Sequence, residues 1–277
     1  MNHQEGSFKD SGNRQIYHQA WLPQGKMKAA LLVVHGLAEH SGRYLNLVNR
    51  FVPLGYAVYG ADHPGHGRSA GRRGYVEKFT AYTDTFAEFA RMVDGWQKGK
   101  PVFLVGHSMG GLIGALHLLS HQQELQGAVL SGPSVKVPDN IASLTIFAGK
   151  ILSTLLPRAG IIKLEDEAIS RDLDVVRAYR DDPLVFHDKI SARLGAQMLQ
   201  AMRRMEAEAS QITLPILILQ GTADRLVPPA GAQMLYDRVS SADKKLIFYE
   251  GLYHEIFNEP EHARVLSDVE AWLAAHI

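Results

Sequence analysis

The stretch Val102–His117, VFLVGHSMGGLIGALH, constrains this 277-residue chain more than any other. An unbroken apolar run, Val102-Phe103-Leu104-Val105, ends in Gly106-His107-Ser108-Met109-Gly110-Gly111. A helical pattern begins at once, with Leu112, Ile113, Leu116 and Leu119 on one side. Strand, tight turn and helix with a serine at the apex is the setting in which G-x-S-x-G presents a nucleophile. So sharp a reversal holds the serine in a strained backbone conformation, and neighbouring side chains would clash; Gly106 and Gly110 remove them. Ser108 then stands at a helix N-terminus, where free N–H groups and the positive end of the helix dipole favour developing negative charge. Alone, the five-residue pattern also marks ordinary Gly-rich turns, so the flanking strand and helix carry the reading.

Composition excludes several function classes. Lysine plus arginine equal aspartate plus glutamate at 29 each, so a large basic surface for nucleic acid is not indicated. The absence of cysteine rules out disulfides, thiolate nucleophiles and Cys-ligated metals. Met1-Asn2-His3-Gln4-Glu5 is polar and acidic, without the basic-then-apolar pattern of a signal peptide. No apolar run approaches the ~18 residues that span a bilayer. The sequence therefore reads as a soluble, cytoplasmic protein, with peripheral membrane contact left open. It leaves the oligomeric state open as well.

Taken in order, Arg14–Leu22 alternates weakly, as an opening edge strand does. Ala29–Val34 is continuously apolar, the mark of a strand buried on both faces. Strands at Tyr56–Ala61, Ala128–Leu130, Ile216–Leu219 and Leu246–Tyr249 alternate with helical patterns at Tyr44–Leu54, Phe79–Trp96, Gly231–Val239 and Glu261–His276. Such alternation predicts an α/β fold with a mostly parallel sheet covered by helices on both faces. The interval 134–213 breaks the rhythm: it has no clear β run and is mostly helical in pattern. Residues 141–156 and 193–209 are its two strongest helix formers. The expected organisation is a core of 1–133 and 214–277 with a helical cap at 134–213, inserted on the side where ligands bind in open α/β sheets.

A serine hydroxyl needs a base to take its proton, and the base needs an orienting carboxylate. Position chooses among the 13 histidines. Ile216–Leu219 runs into Gln220-Gly221-Thr222-Ala223-Asp224, and Leu246–Tyr249 runs into Glu250-Gly251-Leu252-Tyr253-His254. Both Asp224 and His254 thus fall just past a core strand, and the order Ser108, Asp224, His254 is that of the α/β-hydrolases. Asp243 is a weaker acid because it precedes its strand. His262 and His276 fall in the last helix as surface or packing residues. His63-Pro64-Gly65-His66 has a metal-like spacing but no third ligand nearby, which favours turn histidines. For the oxyanion the two donors are the backbone N–H groups of Met109, after the serine, and Leu37, in the loop after Val34. His35 is read as bracing that loop. The chemistry requires no metal or organic cofactor, and the sequence indicates none.

Four segments, His35-Gly36-Leu37-Ala38-Glu39-His40-Ser41-Gly42-Arg43-Tyr44, Asp62-His63-Pro64-Gly65-His66-Gly67-Arg68-Ser69, Gly106–Gly111 and Gly221-Thr222-Ala223-Asp224-Arg225-Leu226-Val227, resemble the monoacylglycerol lipase branch of the α/β-hydrolases. Bacterial members of that branch are often labelled lysophospholipases. The resemblance runs from about Gly25 to the C-terminus. It implies an α/β-hydrolase core with a helical cap, Ser108, Asp224 and His254 as catalytic residues, Leu37 and Met109 as oxyanion donors, and cleavage of a monoacylglycerol to glycerol and a fatty acid. It sets Glu39 and Arg43 near the substrate's head group. The sequence departs from mammalian members at Phe257, where they carry a second histidine, and at Val227, where they carry a cysteine. On the cap, Ile141, Leu144, Phe147, Ile151 and Leu155 are positioned to line an acyl channel or to rest on a membrane surface. The alternatives are a broad carboxylesterase or lysophospholipase with the same triad and, from a different class, a non-catalytic receptor on the same fold.

Overall fold

The computed structural model describes residues 1–97, 99–137 and 151–277; Ile141, Leu144 and Phe147 lie outside the described residues. An eight-stranded sheet has the order β1-β2-β4-β3-β5-β6-β9-β10. The strands are β1 (Asn2–Lys9), β2 (Gln15–Leu22), β3 (Ala29–Val34), β4 (Tyr56–Ala61), β5 (Val102–His107), β6 (Gly127–Ser131), β9 (Ile216–Gly221) and β10 (Lys244–Tyr249). The hairpin β1–β2 joins β4 antiparallel, and all other pairs are parallel.

Apolar strands alternate between two cores. In β3, Ala30, Leu32 and Val34 face one cluster, while Ala29, Leu31 and Val33 face the other. The first face is covered by α2 (Thr80–Gln97), α3 (Met109–His121) and α6 (Ala230–Arg238), the second by α1 (Leu45–Phe51) and α7 (His262–Ala274). In α2 the buried Tyr82, Phe86, Phe89 and Val93 recur at helical spacing, which is why that segment coils and which side it buries. Each such side chain contributes about 1.5–3 kcal/mol on burial. The parallel strands are joined by crossover helices, so they all point the same way. The loops after β3, β5, β6, β9 and β10 therefore gather at the carboxyl edge of the sheet, with β3 at the point where the strand order reverses.

The chain between β6 and β9 holds a helical turn at 151–155, α4 (Leu173–Asp181) and α5 (Ala192–Glu208). The side chain of Asp172 caps α4 by accepting the Asp174 N–H, and Ser191 caps α5 by accepting the Leu194 N–H. Two features differ from the sequence reading. A short antiparallel ribbon, β7 (Gly160–Ile162) with β8 (Ile190–Ser191), lies in the insertion where no β run was expected. In addition, α5 packs Leu194, Ala201, Met202 and Met205 into the main core, so this helix is part of the body of the fold. At the opposite end of the chain the unexpected strand β1 extends the sheet by pairing with β2 from Asn2↔Leu22 to Lys9↔Gln15.

A side chain cannot replace the glycine that lets α3 start against β3. A Cβ on Gly110 would lie 2.0 Å from the Val34 carbonyl oxygen, whereas one on Gly25 meets nothing within 4 Å. Gly110→Ala is expected to lower stability by about 3 kcal/mol or more and Gly25→Ala to leave it within about 0.5 kcal/mol, as read by thermal melting.

Candidate active site

At the end of β5 the chain enters Ser108 with φ 53° and ψ −120°, a left-handed conformation that side chains rarely adopt. Backbone bonds hold it there. The Ser108 N–H donates to the Ser131 carbonyl at 3.0 Å, and the Ser108 carbonyl accepts from Leu112 N–H at 3.2 Å and Ser134 N–H at 3.0 Å. Gly36 lies so near that a Cβ on it would sit 3.2 Å from that of Ser108. Met109 opens α3, where an N–H has no preceding turn to bond. Leu37 follows Gly36 in the loop after β3, and Ala38 beside it is held at φ 69°.

That loop is built on buried histidines and a buried glutamate. His35 donates from Nδ1 to the Gly36 carbonyl at 2.8 Å and accepts the His63 N–H at Nε2, at 2.9 Å. His63 returns a bond from Nε2 to the His35 carbonyl at 2.9 Å, and His66 donates from Nδ1 to the Pro64 carbonyl at 3.2 Å. These ring nitrogens are bonded to backbone, which makes His63 and His66 turn supports. Burial pushes His63 down to about 3 and His66 to about 4, so both rings are neutral near pH 7. Glu39 accepts the Gly36 N–H and, at 2.8 Å, the Tyr44 hydroxyl.

Asp224 and His254 meet across the ends of β9 and β10. His254 donates from Nδ1 to Asp224 Oδ2 at 2.7 Å, which leaves Nε2 as the nitrogen able to accept a proton. Asp224 is oriented by Gln220 Nε2 at 2.9 Å and by the N–H groups of Leu226 and Val227, both at 2.9 Å. Burial alone would raise the Asp224 carboxyl, but His254 and these donors outweigh it and hold it below the usual carboxylate range. Burial alone would depress His254, but Asp224 outweighs it and holds the imidazole above its ordinary value. Gly132 at φ 51° completes the fit, since a Cβ there would lie 3.2 Å from His254 Nδ1.

Ser108 and His254 line one cavity of about 1070 Å³. Most of its wall is apolar, including Leu152, Ile161, Ile162, Ile190, Met198 and Met202. It also carries Glu39, which accepts from the Gly36 N–H beside Ser108, Glu255, which follows His254, and Tyr179. Arg43 lies behind them, 2.7 Å from Glu255 Oε2, 3.5 Å from Glu39 Oε2, and with its guanidinium 4.7 Å from the centre of the Tyr179 ring. Burial and the Glu255 charge push Glu39 up. Burial would raise Glu255 too, but the Arg43 guanidinium overrides it and holds Glu255 low. The site thus offers a nucleophile, a paired base, free N–H groups, acceptor carboxylates and an apolar chamber.

Not every residue singled out from sequence lies on that chamber. Phe257 is buried in the second core cluster, and its carbonyl accepts from Asn46 Nδ2 at 3.1 Å; it does not line the cavity. The chain turns after His254, with Ile256 N–H on the His254 carbonyl, and this carries Phe257 away toward α1 and α7. Ile151 is exposed on the outside of its helical turn, while the neighbouring Leu152 faces the cavity. Arg43 reaches the chamber only through its two glutamates. Asp243 pairs with His276 at 2.9 Å on the surface. His262 donates from Nδ1 to the Glu259 carbonyl at 2.8 Å. Glu255, Tyr179 and the α5 methionines were not singled out. Glu255 follows His254 directly, and a charged residue beside a proposed catalytic histidine was the available signal.

A family model described as serine aminopeptidase, S33, matches residues 25–261. A monoacylglycerol lipase of Mycolicibacterium smegmatis is 37% identical over 273 residues, covering 99% of this chain and 98% of that protein. A monoglyceride lipase of Rattus norvegicus is 35% identical, covering 95% of this chain and 88% of that protein. The crystal structure of Paleococcus ferrophilus monoacylglycerol lipase superposes with a TM-score of 0.85 at 32% identity, covering 95% of this chain and 99% of that one.

Asp224→Asn removes the charge that opposes burial at His254. The imidazole is then expected to titrate below the ordinary histidine value instead of above it, as followed by NMR of the ring nitrogens. An unchanged titration would separate Asp224 from the base.

Proposed function

We propose that this chain, which belongs to the serine aminopeptidase S33 family, hydrolyses the ester bond of monoacylglycerols to glycerol and a fatty acid through an acyl-enzyme. Ser108 Oγ attacks the ester carbonyl while His254 Nε2 takes its proton and Asp224 steadies the resulting imidazolium. The N–H groups of Leu37 and Met109 receive the oxyanion. Collapse of the tetrahedral intermediate breaks the bond to the glycerol oxygen, and His254 returns the proton to that leaving group. Water then repeats the sequence on the acyl-enzyme, which releases the fatty acid and restores Ser108.

The observation that carries the substrate class is the form of the chamber. Each buried acyl methylene contributes ~0.8 kcal/mol, and the apolar wall of Ile161, Ile162, Met198 and Met202 suits a single chain. Beside the serine, Glu39 and Glu255 offer acceptors for glycerol hydroxyls, with Arg43 bracing both. The same two carboxylates oppose a phosphate head group, which favours a monoacylglycerol over a lysophospholipid. Of the insertion 134–213, the turn at 151–155 and the β7–β8 ribbon are read as cap over this chamber, with α5 belonging to the body. Leu155 and Leu156 on the outer side are among the most exposed apolar residues, and Ile151 is exposed beside them. They suit contact with a membrane surface where such a substrate resides. No helix among the described residues is long and apolar enough to cross a membrane.

Steady-state hydrolysis of monoacylglycerols, p-nitrophenyl esters and lysophosphatidylcholine tests the reading. The expected result is a kcat/KM preference for monoacylglycerols and a loss of about a million-fold in Ser108→Ala. Short-chain ester activity with no glyceride preference would leave an esterase, and activity surviving in Ser108→Ala would remove the mechanism.

The membrane contact has its own test. Ile151→Glu with Leu155→Glu is expected to weaken binding to phosphatidylcholine vesicles and turnover of long-chain substrate while sparing a soluble short-chain ester. Equal loss on both substrates would mean damage to the fold.

A further inference from the structure

A second cavity of about 510 Å³ lies on the other side of the β7–β8 ribbon. Gly160, Lys163, Lys189 and Ser191 of the ribbon segments face it, while Ile161, Ile162 and Ile190 of the same segments face the large chamber. The opposite wall comes from the core loop after β4, at Arg72, Arg73, Gly74 and Tyr75. Two backbone bonds tie this loop and its neighbour to the insertion: Ser191 N–H to the Gly74 carbonyl and Phe186 N–H to the Ala38 carbonyl, both at 2.8 Å.

The charge of this cavity is lopsided. Arg72, Arg73, Arg158, Lys163 and Lys189 line it with His187, against one acid, Asp188. Arg73 is spent on the carbonyls of Gly67, Leu184 and Val185. The nearby Glu77 is engaged by the Tyr75 hydroxyl and by Arg193 at 3.6 Å. Arg72, Arg158, Lys163 and Lys189 make no ion pair among the described residues. Arginines elsewhere commonly have one: Arg50 with Glu270, Arg171 with Glu259, Arg238 with Glu206. In a chain of zero net charge, four exposed cations without an acidic partner among the described residues gather around one concavity, a charge pattern complementary to an anion. A solvated basic face would have no need of a concavity shared by two separate parts of the chain.

We propose that this cavity binds the phosphate of an anionic membrane lipid. Arg72 and Arg158 supply planar guanidinium donors and Lys163 and Lys189 supply point charges, a donor set suited to phosphate oxygens. Leu155, 72% exposed, and Leu156, 60% exposed, stand on the turn just before Arg158, which lines the cavity. A lipid head group would meet the cations where the acyl region meets these side chains, which favours a bilayer over a free phosphate as the source. Because the site spans the core loop and the ribbon, its occupant would hold the ribbon that walls the large chamber. The inference rests on the membrane contact proposed above, but it predicts something that contact does not, a dependence on lipid charge.

Vesicle co-sedimentation with phosphatidylcholine alone, and with phosphatidylcholine mixed with phosphatidylglycerol, separates the two. The wild-type chain is expected to bind the mixed vesicles more tightly, and the advantage to shrink at high salt. Lys163→Gln with Lys189→Gln should weaken binding to mixed vesicles about 25-fold, near fivefold per charge, with no change on neutral vesicles. Arg158→Gln should act in the same direction, and Lys245→Gln, on the exposed edge of β10, should not. All variants should keep wild-type melting and wild-type hydrolysis of a soluble short-chain ester. An equal response of wild type and double variant to phosphatidylglycerol would overturn the site. Calorimetry with glycerol phosphate covers the soluble source: variant-sensitive binding there, with no phosphatidylglycerol effect, would overturn the membrane lipid as its ligand. Failure of wild-type binding to neutral vesicles alone would instead count against the apolar contact.

Discussion

The backbone strain at Ser108 is the constraint on which the rest of the site depends. A serine at φ 53° and ψ −120° is unfavourable by about 1–3 kcal/mol, and it persists only where the surroundings leave no alternative. Here they do. Its N–H and carbonyl are tied to Ser131, Leu112 and Ser134, and glycines at 36, 106 and 110 let three backbone segments close around it. The same packing brings the start of α3 within reach of β3. The loop carrying Leu37 and the helix N-terminus carrying Met109 therefore become neighbours as a consequence of fitting the turn. The proposed nucleophile and the proposed oxyanion donors are thus positioned by one geometric solution on this α/β-hydrolase core.

Around that point the polar groups are buried, and each loop is held by another's side chain. Asp62 accepts from Ser41 N–H and Oγ and from Arg68 N–H, which ties the loop after β4 to the loop after β3. His40 donates to Asp182 at 2.9 Å and so fastens the latter loop to the end of α4. Arg43 spans Glu39 and Glu255, joining it to the turn that bears His254. A buried polar group left without a partner costs about 1–3 kcal/mol, so these cross-links hold the loops in one arrangement more than they raise stability.

Strands buried on both faces were readable from sequence because burial writes a continuous apolar run, as in Ala29–Val34 and Val102–Val105. Asp224 and His254 were readable because the strands before them fix where each must fall. β1 was not: Asn2–Lys9 is mostly exposed and polar, and only its pairing with β2 makes it a strand. β7 is three exposed residues, too few for any periodicity to register. Phe257 was singled out because mammalian members carry a second histidine at its place. The local turn after His254 sends it into the α1 and α7 core instead, and Glu255 takes the cavity-facing place. Side-chain direction within a tight turn depends on hydrogen bonds that spacing does not encode.

In the proposed reaction, the charges beside the serine connect recognition to reactivity. Two buried carboxylates share one guanidinium, and their unequal surroundings push Glu39 up while Arg43 keeps Glu255 low. One full negative charge thus remains close to the His254 ring at neutral pH, and it adds to the effect of Asp224 in raising the imidazole. A raised imidazole is a stronger base toward Ser108, and its protonated form is better held once the oxyanion appears. A polyol hydroxyl donating to Glu255 would draw charge away from His254, whereas a phosphate in the same place would add a repulsion that Arg43, already divided between two partners, cannot neutralise. The head-group end of the chamber can therefore discriminate by charge, while the far end, lined by α5 and the ribbon, discriminates only by volume and apolarity.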